Sequence, residues 1–359
     1  MKIVKYVFIL ILLGIISLSV FVATKDGTYH ITHEKTSDIA ANSVYKYITD
    51  LRNYEQWNPD ESKEIKTDSI YKGLKAKATS AHSTIEITKV DPNQSIEFTL
   101  VQNGAETKNK ITLSKAKEQA TKITLDTEGS LSFVQKFKSL FLGGAESIVG
   151  APYEKMLNNI NFHLKEELEK YELKSEGIVL VKETYFIQQL IVTKIENLGE
   201  KVFESMENMT NFVKMNDFIK IAGKPFTFFG QMNVGTGEVE YYVCLPIDKE
   251  IFTSEGSDIT FGKIPAHYAY KTILTGDYTH SDKAWNKNNE DIASKKLTHN
   301  YTIKPRAVFT NSILDTHKPS QWITEMLTPV NESVIPIQET PETTTTVTTT
   351  PNQANDSIQ

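Results

Sequence analysis

The chain has 359 residues, of which 39% are hydrophobic and 10% aromatic. That exceeds the usual span of one compact domain, about 100–200 residues, so two domains with extensions are expected. A formal net charge of −6, with no local Lys/Arg cluster, argues against a nucleic-acid-binding surface, and the single cysteine, Cys244, excludes an intrachain disulfide and a cysteine-based zinc site.

Residues 6–23, "YVFILILLGIISLSVFVA", form an unbroken run of 18 apolar or weakly polar residues. This is close to the shortest stretch that spans a bilayer as a helix. Lys2 and Lys5 precede it, and the positive-inside rule then leaves the N-terminus in the cytoplasm and everything after Ala23 on the other side. A cleaved signal peptide is the rival reading, but Phe21 spoils the small-x-small pattern before Ala23. The expectation is an uncleaved anchor over residues 1–25, with the globular part on the non-cytoplasmic side, periplasmic in a bacterium.

The first globular region is expected over residues 28–172. "TYHITHEKT" reads as a strand. "SDIAANSVYKYITDL" reads as a helix, with Ala40, Val44, Tyr47, Ile48 and Leu51 on one face and Ser37 or Asp38 as its cap. "RNYEQWNPD" breaks it at Asn58-Pro59. The stretches "HSTIEITKV", "SIEFTLVQ", "KNKITLSKA" and "TKITLDTEGS" then alternate as an antiparallel meander. A long helix follows from about Ser147 to Tyr171, with Val149, Tyr153, Met156, Ile160, Leu164, Leu168 and Tyr171 as its apolar stripe.

On "VYKYITDLRNYEQWNP" and the terminal helix "MLNNINFHLKEELEKY", this region resembles the START-like (SRPBCC) superfamily of the polyketide cyclase/dehydrase and lipid transport type. The resemblance implies a helix-grip fold with an apolar cavity between sheet and long helix. It implies no particular reaction, because fold and function separate in such superfamilies. Trp57 could line that cavity or plug the core beside the helix break.

The second region, residues 177–332, carries a faint duplication. "GIVLVKETYFIQQLIVTKI", "GEKVFESMENMTNFVKMN", "FTFFGQMN" and "EVEYYVCLPI" are matched by "DITFGKIPAHYAYKTILTG", "SDKAWNKNNEDIASKKL", "PRAVFTNSIL" and "WITEMLTPV". Each half reads strand-helix-strand-strand and ends in apolar-Pro-apolar, so one duplicated β-α-β-β domain is expected. The groove between its halves is the natural ligand site. On Pro265, Tyr268, Gly276-x-Tyr278 and Thr324-Glu325 before Pro329, the region resembles the GyrI-like small-molecule-binding domain, the effector-binding part of multidrug-sensing regulators. In that family the acid of the last strand meets the charge of cationic hydrophobic ligands in an aromatic pocket, and in some members it serves hydrolysis. Glu325 is the matching position. Members commonly carry an aromatic residue late in the second helix. Here that stretch is "NNEDIASKK", and Trp285 lies about two turns earlier.

The residues themselves point the same way. In "WITEMLTPV", Glu325 shares a strand face with Ile323 and Leu327. A carboxylate there loses hydration, at a cost on the order of several kcal/mol, unless a partner or a raised pKa compensates. A cationic aromatic ligand is one such partner, through charge and cation–π contact. Aligning the halves on their prolines places Tyr242 at the position of Glu325. The candidate ligand-binding residues are therefore Glu325, Tyr242, Tyr268, Tyr278, Trp285 and Trp57; each aromatic one has core packing as its plain alternative, and Glu325 has an exposed or internally salt-bridged position as its own.

The fold class expected is α+β: a transmembrane helix, a helix-grip domain, a duplicated domain and a disordered Thr/Pro-rich tail over residues 333–359. The leading function is non-enzymatic binding of a small amphipathic, cationic or hydrophobic molecule, for sequestration or sensing. A hydrolase using Glu325 as general base is one alternative, and a protein-interaction module of an envelope complex is another. "GSDITFGK" departs from a phosphate-loop spacing, and no helix-turn-helix, metal motif or nucleophile elbow occurs. No cofactor, metal or nucleic-acid partner is expected, and the sequence leaves protein partners open.

Overall fold

The structure, a computed structural model, describes residues 2–60, 62–117, 120–194, 197–254 and 256–331. The expected tail over 333–359 lies outside the described residues. Two compact units divide the chain. The first holds the chain up to Lys174 with Ile273–Trp285 and Ala307–Glu325; the second holds Ser175–Thr272 and Asn286–Arg306 with the described residues from Met326 onward.

The first unit begins with helix α1 (Lys2–Thr24), whose residues 3–24 are long and apolar enough to cross a membrane. From Ile3 onward its side chains are exposed apart from half-buried Leu18 and fully buried Val22. Strand β1 (Thr28–Ser37), helix α2 (Ala41–Thr49) and the single helical turn α3 (Tyr54–Trp57) follow. Then come β2 (Lys66–Thr67), β3 (Lys77–Thr79), β4 (Ser83–Asp91), β5 (Ser95–Gln102), β6 (Ala105–Lys117) and β7 (Ala120–Ser130). They form one antiparallel sheet in the order β1-β7-β6-β5-β4-β3-β2, so β1 closes against the last strand of the meander.

Helices α4 (Phe133–Leu142), α5 (Glu146–Val149) and α6 (Ala151–Glu169) complete this part. Inward residues alternate along β5 (Ile96, Phe98, Leu100) and recur at Tyr153, Met156, Leu157, Ile160 and Leu164 of α6, forming one core. Each fully buried Ile, Leu or Phe contributes about 1.5–3 kcal/mol. This is the α+β helix-grip arrangement, and an SRPBCC-like domain is present.

Three local expectations change. Helix α2 begins at Ala41 without a side-chain cap; the Ser37 hydroxyl instead accepts from the Ile39 N–H, and Asp38 pairs with Lys165 of α6 at 2.7 Å. The long terminal helix is two helices, because Gly150 and Pro152 interrupt it and Pro152 has no N–H to continue a helix through its position. Tyr171 belongs to the next strand. Helix α4 has no counterpart in the expected elements.

The duplicated region contains β8 (Tyr171–Val181), β9 (Thr184–Lys194), α7 (Leu198–Met215), β10 (Phe226–Asn233) and β11 (Glu238–Ile247), then β12 (Ile259–Ile264), β13 (His267–Gly276), α8 (Ser281–Ser294), β14 (Arg306–Asn311) and β15 (Ile323–Pro329). Each half is therefore longer by one strand than its pattern suggests. Lys182-Glu183 turns the first long apolar stretch into a pair of strands, and Pro265-Ala266 divides the second. The sheet order is β12-β9-β11-β10-β14-β15-β13-β8. Strand β12 pairs with β9 of the other half, from Ile259↔Gln189 to Ile264↔Thr184. Gly262 permits this pairing, because a side chain there would collide with the Phe186 ring. In the second unit, buried Asn288 of α8 donates to Tyr270 O, Thr272 Oγ1 and Met326 O at 3.0–3.3 Å, tying that helix to the sheet.

Candidate functional site

The interior of the helix-grip domain is filled at one end by aromatic rings. Trp57 is fully buried, edge-on to Tyr54 at 4.8 Å and to Phe98 at 6.4 Å between centroids. Its indole N–H has no hydrogen-bond acceptor among the described residues. The stretch that carries the resemblance holds this end together. The Asp50 carboxylate accepts from Arg52 Nε at 2.9 Å and Nη2 at 2.6 Å, and Asn53 Nδ2 donates to Tyr47 O at 3.0 Å. Another part of the interior is polar. Tyr153 of α6 donates to Thr107, Asn109 donates to Thr107 Oγ1 at 3.0 Å, and Thr127 donates to Asn109 Oδ1 at 2.9 Å. Asn109 thereby has partners on both amide atoms, which makes this network a specifier of packing.

Glu325 and Tyr278 also belong to the first unit. Along β15 the side chains of Thr324, Met326 and Thr328 are buried, and Glu325 is half-buried on the opposite face with Ile323. Tyr278 stacks on Trp322 at 4.6 Å and meets Phe309 edge-on at 5.3 Å, and burial pushes its hydroxyl above the ordinary phenol range. It thus sits in an aromatic cluster of the chain's own making. Trp285, on α8, is half-buried.

Tyr242 and Tyr268 lie in the second unit. Tyr268 packs against the cluster of Tyr270, Ile292 and Val330. Tyr242 lies on a sheet face built from in-register rows. Leu190, Tyr242 and Phe228 form one row; Gln188, Cys244 and Phe226 form the next; Val192 and Glu240 lie on the other side. Residues two apart share a strand face, so the three rows span about 14 Å. Tyr242 and Phe228 stack at 4.8 Å between centroids, and Lys304 Nζ sits 5.2 Å from the centre of each ring. Leu190 and Val192 are exposed, so this part of the face is open. Beyond it a cleft of about 550 Å³ is lined by Val192, Gln231, Met232, Val234, Glu238 and Glu240. Gln231 Nε2 donates to Glu240 Oε1 at 2.8 Å, which holds that carboxylate beside the rings' end of the cleft.

The opposite end is basic. Arg306 is buried over Phe226 at 5.7 Å, and burial pulls its guanidinium down to about 10, still protonated at neutral pH. The His267 Nδ1–H donates to Pro265 O at 2.8 Å, which leaves Nε2 to accept from Arg306 Nη1 at 3.4 Å. Desolvation lowers the His267 pKa, with the Arg306 charge adding to it, and keeps the ring neutral. The face thus runs from cationic, through aromatic, to acidic. Sequence reasoning reached Tyr242 but not Lys304, Arg306, Phe228 or Glu240. "EYY" did contain the signal, since Glu240 and Tyr242 share a strand face.

Residues 28–165 match the family described as polyketide cyclase / dehydrase and lipid transport. Among solved structures, the chain is similar to EcmrR in a DNA complex, at 18% identity and TM-score 0.38, over 49% of this chain and 64% of that one. It is similar to the isolated EcmrR C-terminal domain at 16% identity and TM-score 0.36, over 45% of this chain and 98% of that one. A norcoclaurine synthase point mutant from Thalictrum flavum, bound to a transition-state analogue, gives 14% identity and TM-score 0.32 over 40% and 98% of the two chains. The chain therefore spans less than two thirds of the EcmrR chain in the DNA complex. No curated protein matches it.

Proposed function

We propose that this protein is a membrane-anchored binder of small amphipathic cations, with α1 as the anchor and the open sheet face of the second unit as the binding surface. The observation that carries the reading is the Lys304 ammonium placed 5.2 Å over both rings of the Phe228–Tyr242 stack. A ring face that holds an ammonium in this way is electrostatically suited to any onium group. Lys304 is exposed, so its contact contributes only about 0.5–1 kcal/mol and is easily displaced. Exposed Leu190 and Val192 offer apolar surface for the ligand body, and Glu240 and Glu238 offer carboxylates at the acidic end. The duplicated region is thereby read as GyrI-like, with the globular part on the non-cytoplasmic side. Glu325 stays a candidate ligand contact and is examined as a separate variant.

The test is calorimetric titration of the full chain, in detergent, with benzyltrimethylammonium. Tyr242→Ala is expected to weaken binding roughly 3- to 30-fold, the range of a cation–π contact. Glu240→Gln should also weaken it, and Lys304→Ala should strengthen it by removing the internal competitor. Unchanged affinity in both Tyr242→Ala and Glu240→Gln would rule the surface out. Turnover of an ester or amide substrate that Glu325→Gln abolishes would instead favour the hydrolase.

A further inference from the structure

Helix α4 is built inside out for a soluble domain. Its sequence, FVQKFKSLFL, places Phe133, Val134, Phe137, Leu140 and Phe141 on one face, with Gln135 and Ser139 opposite and Lys136 and Lys138 on the flanks. A helix on a globular surface turns its apolar face inward. Here most of the apolar face points out: Val134 is 60% exposed, Phe141 is 68% exposed, and Phe133 and Phe137 are exposed beside them, while Leu140 at the edge of the stripe is half-buried. Gln135 and Ser139 are half-buried, and no residue of the helix is buried. Nothing about the helix is frayed. Ser132 and Gln135 form a complete capping box, and Gly143 ends the helix in the left-handed conformation at φ 90°. Local sequence therefore stabilises a helix that tertiary burial does not.

The position of α4 identifies what covers that face. It packs against α1, the one apolar helix of membrane-crossing length among the described residues, and Val22 in the last turn of α1 is fully buried. Lys136 Nζ donates to Lys25 O at 2.8 Å, and Leu131 N–H donates to Gly27 O at 2.8 Å. Gly27 lies at this approach, where a Cβ would sit 3.1 Å from Leu131 O and displace the end of the Lys136 side chain. The residues just after α1 meet α4, so with α1 read as the anchor α4 lies beside its exit from the bilayer. Aromatic residues on one side, with Lys138 exposed on one flank and Lys136 on the other tied to the end of α1, fit the pattern of a helix lying in the membrane interface.

We infer that α4 is an interfacial membrane helix: Phe133, Val134, Phe137 and Phe141 insert into the leaflet on the side where the globular part lies, and the helix fixes the helix-grip domain against the bilayer at the exit of the anchor. The inference rests on the reading of α1 as a membrane anchor, and the experiment separates the two.

The full chain is reconstituted into phosphatidylcholine/phosphatidylglycerol vesicles. Cys244 is buried and its thiol is pushed well up by burial, so an introduced cysteine takes a fluorescent label selectively. Phe141→Cys and Val134→Cys probe the apolar face, and Ser139→Cys probes the other; 141 and 134 are exposed, so the label does not disturb packing there. Brominated lipid is expected to quench the labels at 141 and 134 and to leave that at 139 unchanged. Flotation after alkaline washing reports the anchor independently. A chain that floats but shows equal quenching at 141, 134 and 139, or none, overturns the interfacial placement alone. A chain that fails to float overturns both readings. Self-quenching at 141 that grows with protein density, without lipid quenching, overturns the inference in favour of a second copy of the chain on this face.

Discussion

Burial holds His267 below the ordinary imidazole value of 6.5, and the adjacent Arg306 guanidinium adds to the effect. His317 is lowered in the same direction by burial, with Arg52 contributing. The unfolded chain takes up a proton on such a ring as pH falls below about 6.5, while the folded chain resists it. The stability these neutral rings allow is therefore fully present above pH 6.5 and is lost as pH falls through their lowered folded values. Thermal melts of the full chain should show a falling midpoint from pH 7 to pH 5. His267→Asn, which keeps a donor toward Pro265 O, should flatten that slope. Trp57 gives a second residue-scale expectation. Its ring fills a core, so Trp57→Ala should cost about 3–5 kcal/mol in urea unfolding at constant detergent. Trp57→Phe should cost much less, because the indole N–H has no acceptor to lose. Strand parity put Glu325 with Ile323 and Leu327, opposite Thr324 and Met326; burial follows that division through Met326, but Leu327, on the Glu325 face, is buried as well. Parity could not foresee Lys304 over Tyr242, because that contact reaches β11 from a loop more than sixty residues later.

At the scale of elements, the Asp50–Leu51–Arg52–Asn53 turn is the part of the family resemblance whose physics is now explicit. Asp50 is almost wholly buried and bonds both the Arg52 side chain and its backbone N–H, while Arg52 lies over Tyr71 at 4.4 Å. Asp50→Ala should lower stability by about 1.5–3 kcal/mol, the range for hydrogen bonds to a charged group. Asp50→Asn, which keeps one acceptor, should lose less; urea unfolding distinguishes the two. The motif was legible because such turns need particular side chains at fixed spacing. The meander was legible because its inward residues alternate, as in Ile96, Phe98 and Leu100. Helix α4 has no place among the expected elements, although Ser132 and Gln135 spell a capping box ahead of its apolar stripe, and that stripe would not have shown which way it faces. The splitting of the long stretches into β8–β9 and β12–β13 was missed for another reason: apolar residues run on through Val181 and Ile264, and only Lys182-Glu183 and Pro265 mark the turns.

At the scale of the whole molecule, duplication shows in the sequence as four matched stretches, and the structure makes each half ββαββ. Which strand pairs with which was not legible, since hydrophobic pattern sets a strand's face and not its neighbour. That pairing has a mechanical consequence. The connection from Ile247 to Ile259 joins the two repeats covalently, yet the first strand after it hydrogen-bonds back to β9, along its full 6 residues. A single protease cut in that connection would remove the covalent link and leave the ladder standing. The two fragments should then migrate together on a sizing column in mild detergent, and separate only when denaturant dissolves the sheet. Fragments that part at once would mean that the covalent link, rather than the interlocking of strands, keeps the repeats together.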